Sequence, residues 1–296
     1  MMPLYYVGLD LGQASDYSAL CVIEEAVWCG PEVDFDGWGA FVPQELEDAG
    51  WVSPSLLSPH SAQQVARINF ELGRPPQPPL FLRHLERYEL GTPYPQVIEH
   101  VIRLLTRHPI RAHLQHTRLL VDATGVGRPV VESFRARRVY PVSILIHGGE
   151  RVTQEIIGEE PGDIILRVPK RDLVAAVQTL LQNGRLQIAA GLALADVLKK
   201  ELLNFRVKVD PKTAHDSYSH WRESDHDDLV LAVACAAWYR EYANRPVENR
   251  NREQGGYRVP VPYGAVEPFF RGEVEPFLKG SSSLETFGKP NPWRGL

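Results

Sequence analysis

The chain has 296 residues, 44% of them hydrophobic and 23% charged, with a net charge of −5. That length and balance suit one large soluble globular domain or two small ones, and they exclude a global basic field, so any nucleic-acid contact needs a local basic patch. The three cysteines, Cys21, Cys29 and Cys235, have no zinc-site spacing and suit a reducing cytoplasm, and no apolar run approaches the roughly 20 residues of a membrane span.

Residues 4–9 form a short apolar run that ends on Asp10, the pattern of a buried strand. It is too short, and its acid too early, for a signal sequence. Gly12 and Ser15 mark a turn, and residues 18–25 read as a second strand of a hairpin. From about 30 to 79 the periodicity fails, with Pro31, Pro43, Pro54, Pro59, Pro75, Pro76, Pro78 and Pro79 among scattered Gly and Ser. A connection that long reads as an inserted lobe or mobile loop. Residues 80–88 are a third strand, GTPYP a turn, and 95–107 a helix with Val97, Ile98, Val101, Ile102, Leu104 and Leu105 on one face.

His113 and His116 have no second ligand pair nearby and read as loop residues. Residues 118–122 are a strand ending on Asp122, and ATGVGRP is a glycine turn into a helix at 130–138. Residues 142–146 are a strand, and 148–168 a hairpin through GEEPGD. The helix at 170–183 places Leu173, Val174, Val177, Leu180 and Leu181 on one face and stops at Gly184. An extended piece at 185–188, a helix at 192–204 and an amphipathic strand at 205–209 follow, with a turn at 210–212 leading back toward 218–221. A last helix runs from about 225 to 242. After Asn244 the composition shifts to Pro, Gly, Ser, Arg and Glu, a poorly structured tail at 245–296. Alternating strands and helices predict an α/β fold with parallel strands.

The acids are the informative feature. Asp10 and Asp122 close apolar strands, and Asp227 and Asp228 open an apolar helix. Carboxylates are poor strand formers and costly to bury unpaired. Singly, each has an ordinary reading: Asp10 and Asp122 start turns, and Asp227 completes a capping box with Ser224. Jointly, they suggest a shared divalent metal held by oxygens, and so a metal-dependent phosphodiesterase. Asp16 adds a further acid in the first turn. Two ions roughly 3.5–4 Å apart activate a water and stabilise a leaving oxygen, and they need carboxylates from separate elements.

In order, GLDLGQASD, LLVDATGVGRP, VPKRDLV…LLQNGRLQIA and HDDLVLAVACAAW resemble the nuclease domain of tailed-phage terminase large subunits. The resemblance spans about 4–28 and 80–242. It implies a ribonuclease H-like mixed central sheet flanked by helices over residues 1–244, with the insertion at about 30–79. It implies a metal-dependent endonuclease that cuts double-stranded DNA during viral genome packaging, in the host cytoplasm, by two-ion chemistry with Mg²⁺ or Mn²⁺. By position, Asp10 would bridge two ions, Asp122 would flank one, and Asp227 or Asp228 the other, with Asp16 auxiliary. A packaging ATPase normally accompanies this nuclease, and no GxxxxGK[ST] loop occurs here. The expected partners are therefore a separate packaging ATPase, a small terminase or a portal protein.

Phosphate contacts dominate duplex affinity, so cations should lie beside the acids. The candidates are Lys170 and Arg171 at a helix start, Arg206, Lys208 and Lys212 on the late strand and its turn, and Arg128 with Arg135, Arg137 and Arg138 after the second acidic motif. His226 is a candidate proton carrier. Three rival readings stand beside the nuclease: an actin-like ATPase or sugar kinase using GLDLGQAS and VDATGVG as phosphate loops, a Holliday-junction resolvase, and a non-catalytic binding module of the same fold.

Overall fold

The computed structural model describes residues 4–12, 16–29, 50–57, 61, 65, 77–125, 127–157, 164–189, 191–204 and 226–244. The expected strand at 205–209, with Arg206, Lys208 and Lys212, lies outside these residues, as do the tail at 245–296 and most of the insertion. The Arg128 side chain is likewise outside them.

The first two strands, β1 (Tyr5–Asp10) and β2 (Ala19–Glu25), form the expected hairpin, and every one of their residues is buried. A two-stranded ribbon follows, β3 (Val27–Trp28) with β4 (Trp51–Val52), inside the stretch whose sequence shows no periodicity. Two-residue strands are too short to leave a period-2 signature. Next come β5 (Leu80–Arg87), helix α1 (Tyr94–Leu105), β6 (Thr117–Asp122), α2 (Gly127–Arg135) and β7 (Val142–His147). The hairpin β8 (Thr153–Ile156) and β9 (Ile164–Pro169) leads into α3 (Lys170–Gln182), β10 (Leu186–Ile188), α4 (Ala195–Asn204) and α5 (Asp228–Ala243).

Eight strands form one mixed sheet in the order β10-β5-β2-β1-β6-β7-β9-β8. β2 is antiparallel to both β1 and β5, whereas β1, β6, β7 and β9 are mutually parallel. The central strands read as continuous apolar runs because both faces of the sheet are covered. On one face Tyr6, Cys21, Leu120 and Ile144 pack with α3, α4 and α5. On the other, Tyr5, Val7, Leu9, Leu119 and Val121 pack with α1 and α2.

Helix α5 is apolar almost all round, the mark of a helix enclosed by its neighbours. It lies directly on β1, because Gly8 has no side chain there: a Cβ at Gly8 would sit 2.0 Å from the Ala232 carbonyl oxygen. Its far end is clamped by a buried ion pair. Arg240 Nε donates to Glu25 Oε2 at 2.9 Å and Nη2 to Oε1 at 3.0 Å, and the Tyr6 hydroxyl donates to the same carboxylate at 3.2 Å. The packing and the clamp together fix where the other end of α5 falls.

His113 and His116, read from sequence as loop residues, are buried in a 3-10 segment, Ile110–His116, that leads into β6. The His113 ring packs against Tyr5 with centroids 5.5 Å apart. Segment 110–116 alternates Ile110, Ala112 and Leu114 with polar residues, so both histidines fall at positions or among neighbours that the pattern marks as polar, and their burial left no trace in it. Among the described residues, no helix is long and apolar enough to cross a membrane.

Candidate active site

Asp10 and Asp122 end two adjacent parallel strands and are register partners. Neighbouring strands lie about 4.8 Å apart, so the two side chains emerge side by side at the carboxyl edge of the sheet. One row of register partners crosses the sheet there: Arg87, Ala19, Asp10, Asp122 and Ile144. Direct partners share a face, and this row faces α5. That helix starts at the same edge and brings Asp227 and Asp228 to it. A fourth element arrives because β9 runs parallel to its neighbours, so α3 begins at this edge with Lys170.

The burial is severe. Asp10, Asp122 and Asp228 are 7%, 5% and 5% exposed. Burial, followed by repulsion from Asp122, Asp228 and Asp227, pushes the Asp10 carboxyl well above the usual carboxylate range. Burial also raises Asp122, against the opposing pull of Thr124 hydrogen bonds and the Lys170 charge. Asp228 is pushed up to about 6 by burial; Arg87 and His226 oppose the rise, while Asp227 and Asp16 add to it. Asp16 itself is exposed and acts on the cluster through its field.

The ordinary readings of these acids hold in part. Asp122 does start a turn: its Oδ1 accepts from the Thr124 amide at 2.8 Å. Next to Asp10, the Gly12 amide donates instead to Ser18 Oγ at 3.1 Å. At the last helix, α5 begins at Asp228 and puts Asp227 at the N-cap, where its side chain makes no capping bond; Ser224, the other member of the expected capping box, lies outside the described residues. Asp227 instead accepts from Lys170 Nζ at 2.9 Å. The first turn of α5 is capped from a distance by Glu201 of α4, whose Oε2 accepts from the Val230 amide at 3.2 Å.

The two members of the acidic pair are thus distinct. Asp227 is partly exposed and tied to Lys170. Asp228 is buried, and its Oδ2 makes no hydrogen bond. The nearest cations to that oxygen are Arg87 Nη2 at 3.5 Å and His226 Nδ1 at 3.9 Å. Arg87 also bonds Glu201, whose carboxyl is raised to about 7, chiefly by burial. Arg171 points away, donating to the Glu150 carbonyl at 2.6 Å. Arg137 bonds its own helix at the Ser133 carbonyl, 3.0 Å away.

Arg87 and Glu201 were not singled out from the sequence. A charged residue ending a strand and a glutamate on an amphipathic helix both look like solvated positions. Asp10, Asp122, Asp227 and Asp228 do meet at one edge, joined by Lys170. Their donors are all oxygens, with one buried oxygen unbonded, which suits a hard divalent cation such as Mg²⁺ or Mn²⁺. Among the described residues, no three His, Cys, Asp or Glu groups converge closely enough to hold one ion as they stand. Asp227 and Asp228 turn to Lys170 and Arg87 instead.

With this geometry in place, two solved structures compare with the chain. One is the large terminase nuclease from thermophilic phage G20c, at 16% identity over 79% of this chain and 80% of that one, with a TM-score of 0.37. The other is the human cytomegalovirus terminase nuclease domain, Mn soaked, at 12% identity over 79% and 81%, again with a TM-score of 0.37. The observed fold, a mixed eight-stranded sheet flanked by helices, is consistent with the expected ribonuclease H-like architecture. No protein-family model and no curated protein matches the chain.

Proposed function

We propose that this chain is a divalent-metal-dependent endodeoxyribonuclease of the terminase large-subunit type. The observation that carries the reading is the register pairing of Asp10 with Asp122, with the buried carboxylate of Asp228 brought to the same sheet edge by α5. Asp10, Asp122 and Asp228 would hold two ions, Mg²⁺ or Mn²⁺, which when bound supply an activated water and stabilise the leaving oxygen of a phosphodiester. Asp10, which feels the charges of both Asp122 and Asp228, would take the central place. Asp227 serves by holding Lys170 across the mouth of the site, 2.9 Å away, where an ammonium suits a phosphate oxygen. His226, partly exposed beside Asp228, is placed to carry a proton to solvent.

The substrate is double-stranded DNA, cut during viral genome packaging in the host cytoplasm, with a separate ATPase, small terminase or portal protein as partner. Lys170, Arg128, Arg206, Lys208 and Lys212 are the proposed phosphate contacts; Arg171, also expected from the sequence, is engaged at the Glu150 carbonyl instead. Supercoiled plasmid incubated with Mn²⁺ or Mg²⁺ should be nicked or linearised by the wild type. Asp10→Ala, Asp122→Ala and EDTA should each abolish cutting. Cleavage that survives Asp10→Ala would sink the assignment, and a strong preference for four-way junctions over plasmid would redirect it to a resolvase.

A further inference from the structure

Three residues surround one guanidinium: Glu201 of α4, Asp228 of α5 and Tyr17 from the connection between β1 and β2. Arg87, at the end of β5, bonds Glu201 Oε1 through Nη2. The same nitrogen lies 3.5 Å from Asp228 Oδ2. The guanidinium carbon sits 4.9 Å from the ring centroid of Tyr17, whose ring meets His226 edge-on at 4.8 Å. Glu201 in turn anchors α5, because its second oxygen accepts from the Val230 amide. The arrangement therefore ties the strand that ends in Arg87 to the helix turn that carries Asp228.

Two atoms in it are unsatisfied. Arg87 Nε and Asp228 Oδ2 are both buried and make no hydrogen bond. Buried donors and acceptors are nearly always paired, so a donor and an acceptor orphaned on neighbouring groups are poised for each other. We propose that Arg87, held by Glu201, is a positioning residue for the Asp228 carboxylate, and that it strengthens divalent-cation binding at the acidic centre. The inference rests on reading Asp10, Asp122 and Asp228 as the cation ligands.

The sign of the effect needs argument, since a guanidinium beside a cation ligand also repels the cation. Glu201 is hydrogen-bonded to Arg87 and closer to it than Asp228 is, so it offsets part of the guanidinium's charge. What remains is direction: Arg87 lies against the Oδ2 edge of the Asp228 carboxylate and would fix how that carboxylate is presented. Ligating carboxylates are themselves usually hydrogen-bonded, and losing such a partner costs about 10–100-fold in metal affinity. A lysine would not substitute, because an ammonium lacks the planar fork that spans two carboxylates.

The test is Mn²⁺ binding to the full chain by calorimetry, with the melting temperature in EDTA measured in parallel. Arg87→Lys and the double variant Arg87→Gln with Glu201→Gln are expected to bind Mn²⁺ about 10–100-fold more weakly than wild type. The double variant removes both charges of the Arg87–Glu201 pair together and leaves neither partner stranded, so it carries the test if Arg87→Gln alone fails to fold. It also keeps the net charge of the native pair, so a loss there reports position rather than charge. Wild-type affinity in both variants overturns the inference while leaving the centre intact. Mn²⁺ affinity unchanged by Asp10→Asn would instead overturn the reading of the centre, and this inference with it.

Discussion

Gly8 and Ala232 are in backbone contact: a methyl group on Gly8 would lie 2.0 Å from the Ala232 carbonyl oxygen and 2.9 Å from its carbon. Gly8 stands two residues before Asp10 on β1, and Ala232 four residues after Asp228 on α5. The contact therefore sets how far apart the two carboxylates stand. It also gives Gly8 a packing role, in a motif whose glycines could equally have served a phosphate loop.

Gly8→Ala should be costly for that reason. The clash is with backbone, which cannot rotate away, so α5 must lift. Overpacking a tight core costs about 1–3 kcal/mol and sometimes more, and this overlap puts the substitution at or above the upper end. Thermal melting should fall by about 6 °C or more, and plasmid cleavage should fall further than the remaining folded fraction explains. A melting curve that overlays the wild type would show that the helix does not rest on this strand as described.

Asp10 and Asp122 were legible in the sequence because a carboxylate ending an apolar strand breaks the pattern, and parallel pairing then makes the two neighbours. The mixed sheet and its flanking helices were legible for the same reason, through the two periodicities. Asp227 and Asp228 could not be separated: adjacent residues at a helix start differ only in rotation about the axis, and the start itself lay three residues later than about 225. Arg87 and Glu201 were illegible because their partners come from elsewhere in the fold. The Glu25–Arg240 clamp is the extreme case, since its members stand 215 residues apart.

Asp10→Asn should stabilise the protein in EDTA while abolishing cleavage. The raised Asp10 carboxyl means that the unfolded chain ionises at a lower pH than the folded one, so folding at neutral pH opposes the charge. Removing that charge is expected to raise the melting temperature measurably at pH 8. The sign fixes the pH trend. As pH falls toward the ordinary carboxylate range, the native Asp10 takes up its proton and the advantage of the amide shrinks. Melting temperatures of the two proteins in EDTA at pH 8, 6.5 and 5 would show this, and an advantage that grows on acidification would contradict it.

The Arg240–Glu25 pair should behave unlike the ion pairs at the surface. Its side chains are 5% and 6% exposed, against 42% and 43% for Arg167 and Glu155. Removing one partner of a buried pair strands the other, at about 3–5 kcal/mol, whereas an exposed pair contributes about 0–1 kcal/mol. Arg240→Met should therefore shift the urea midpoint strongly and equally in low and high salt. Arg167→Met should shift it slightly. Comparable losses in the two variants would mean that the clamp at the far end of α5 is dispensable.

His113 should make the fold sensitive to mild acid. Burial holds its imidazole down to about 4, against the ordinary 6.5, with the neighbouring His116 and His108 adding to the effect. In the unfolded chain the ring charges below about 6.5, but in the folded one it stays neutral until about 4. Stability is therefore complete above 6.5 and is lost as pH falls through that window, by up to ~3 kcal/mol for a shift of this size. His113→Gln keeps a polar group beside the Pro54 carbonyl but cannot titrate. It should be somewhat less stable than wild type at pH 7.5 and lose less between pH 6.5 and 4.5. Because the acidic centre titrates in both proteins, only the difference between their urea midpoints reports on His113. Parallel pH profiles would show that the ring is already charged, or already accessible, in the folded chain.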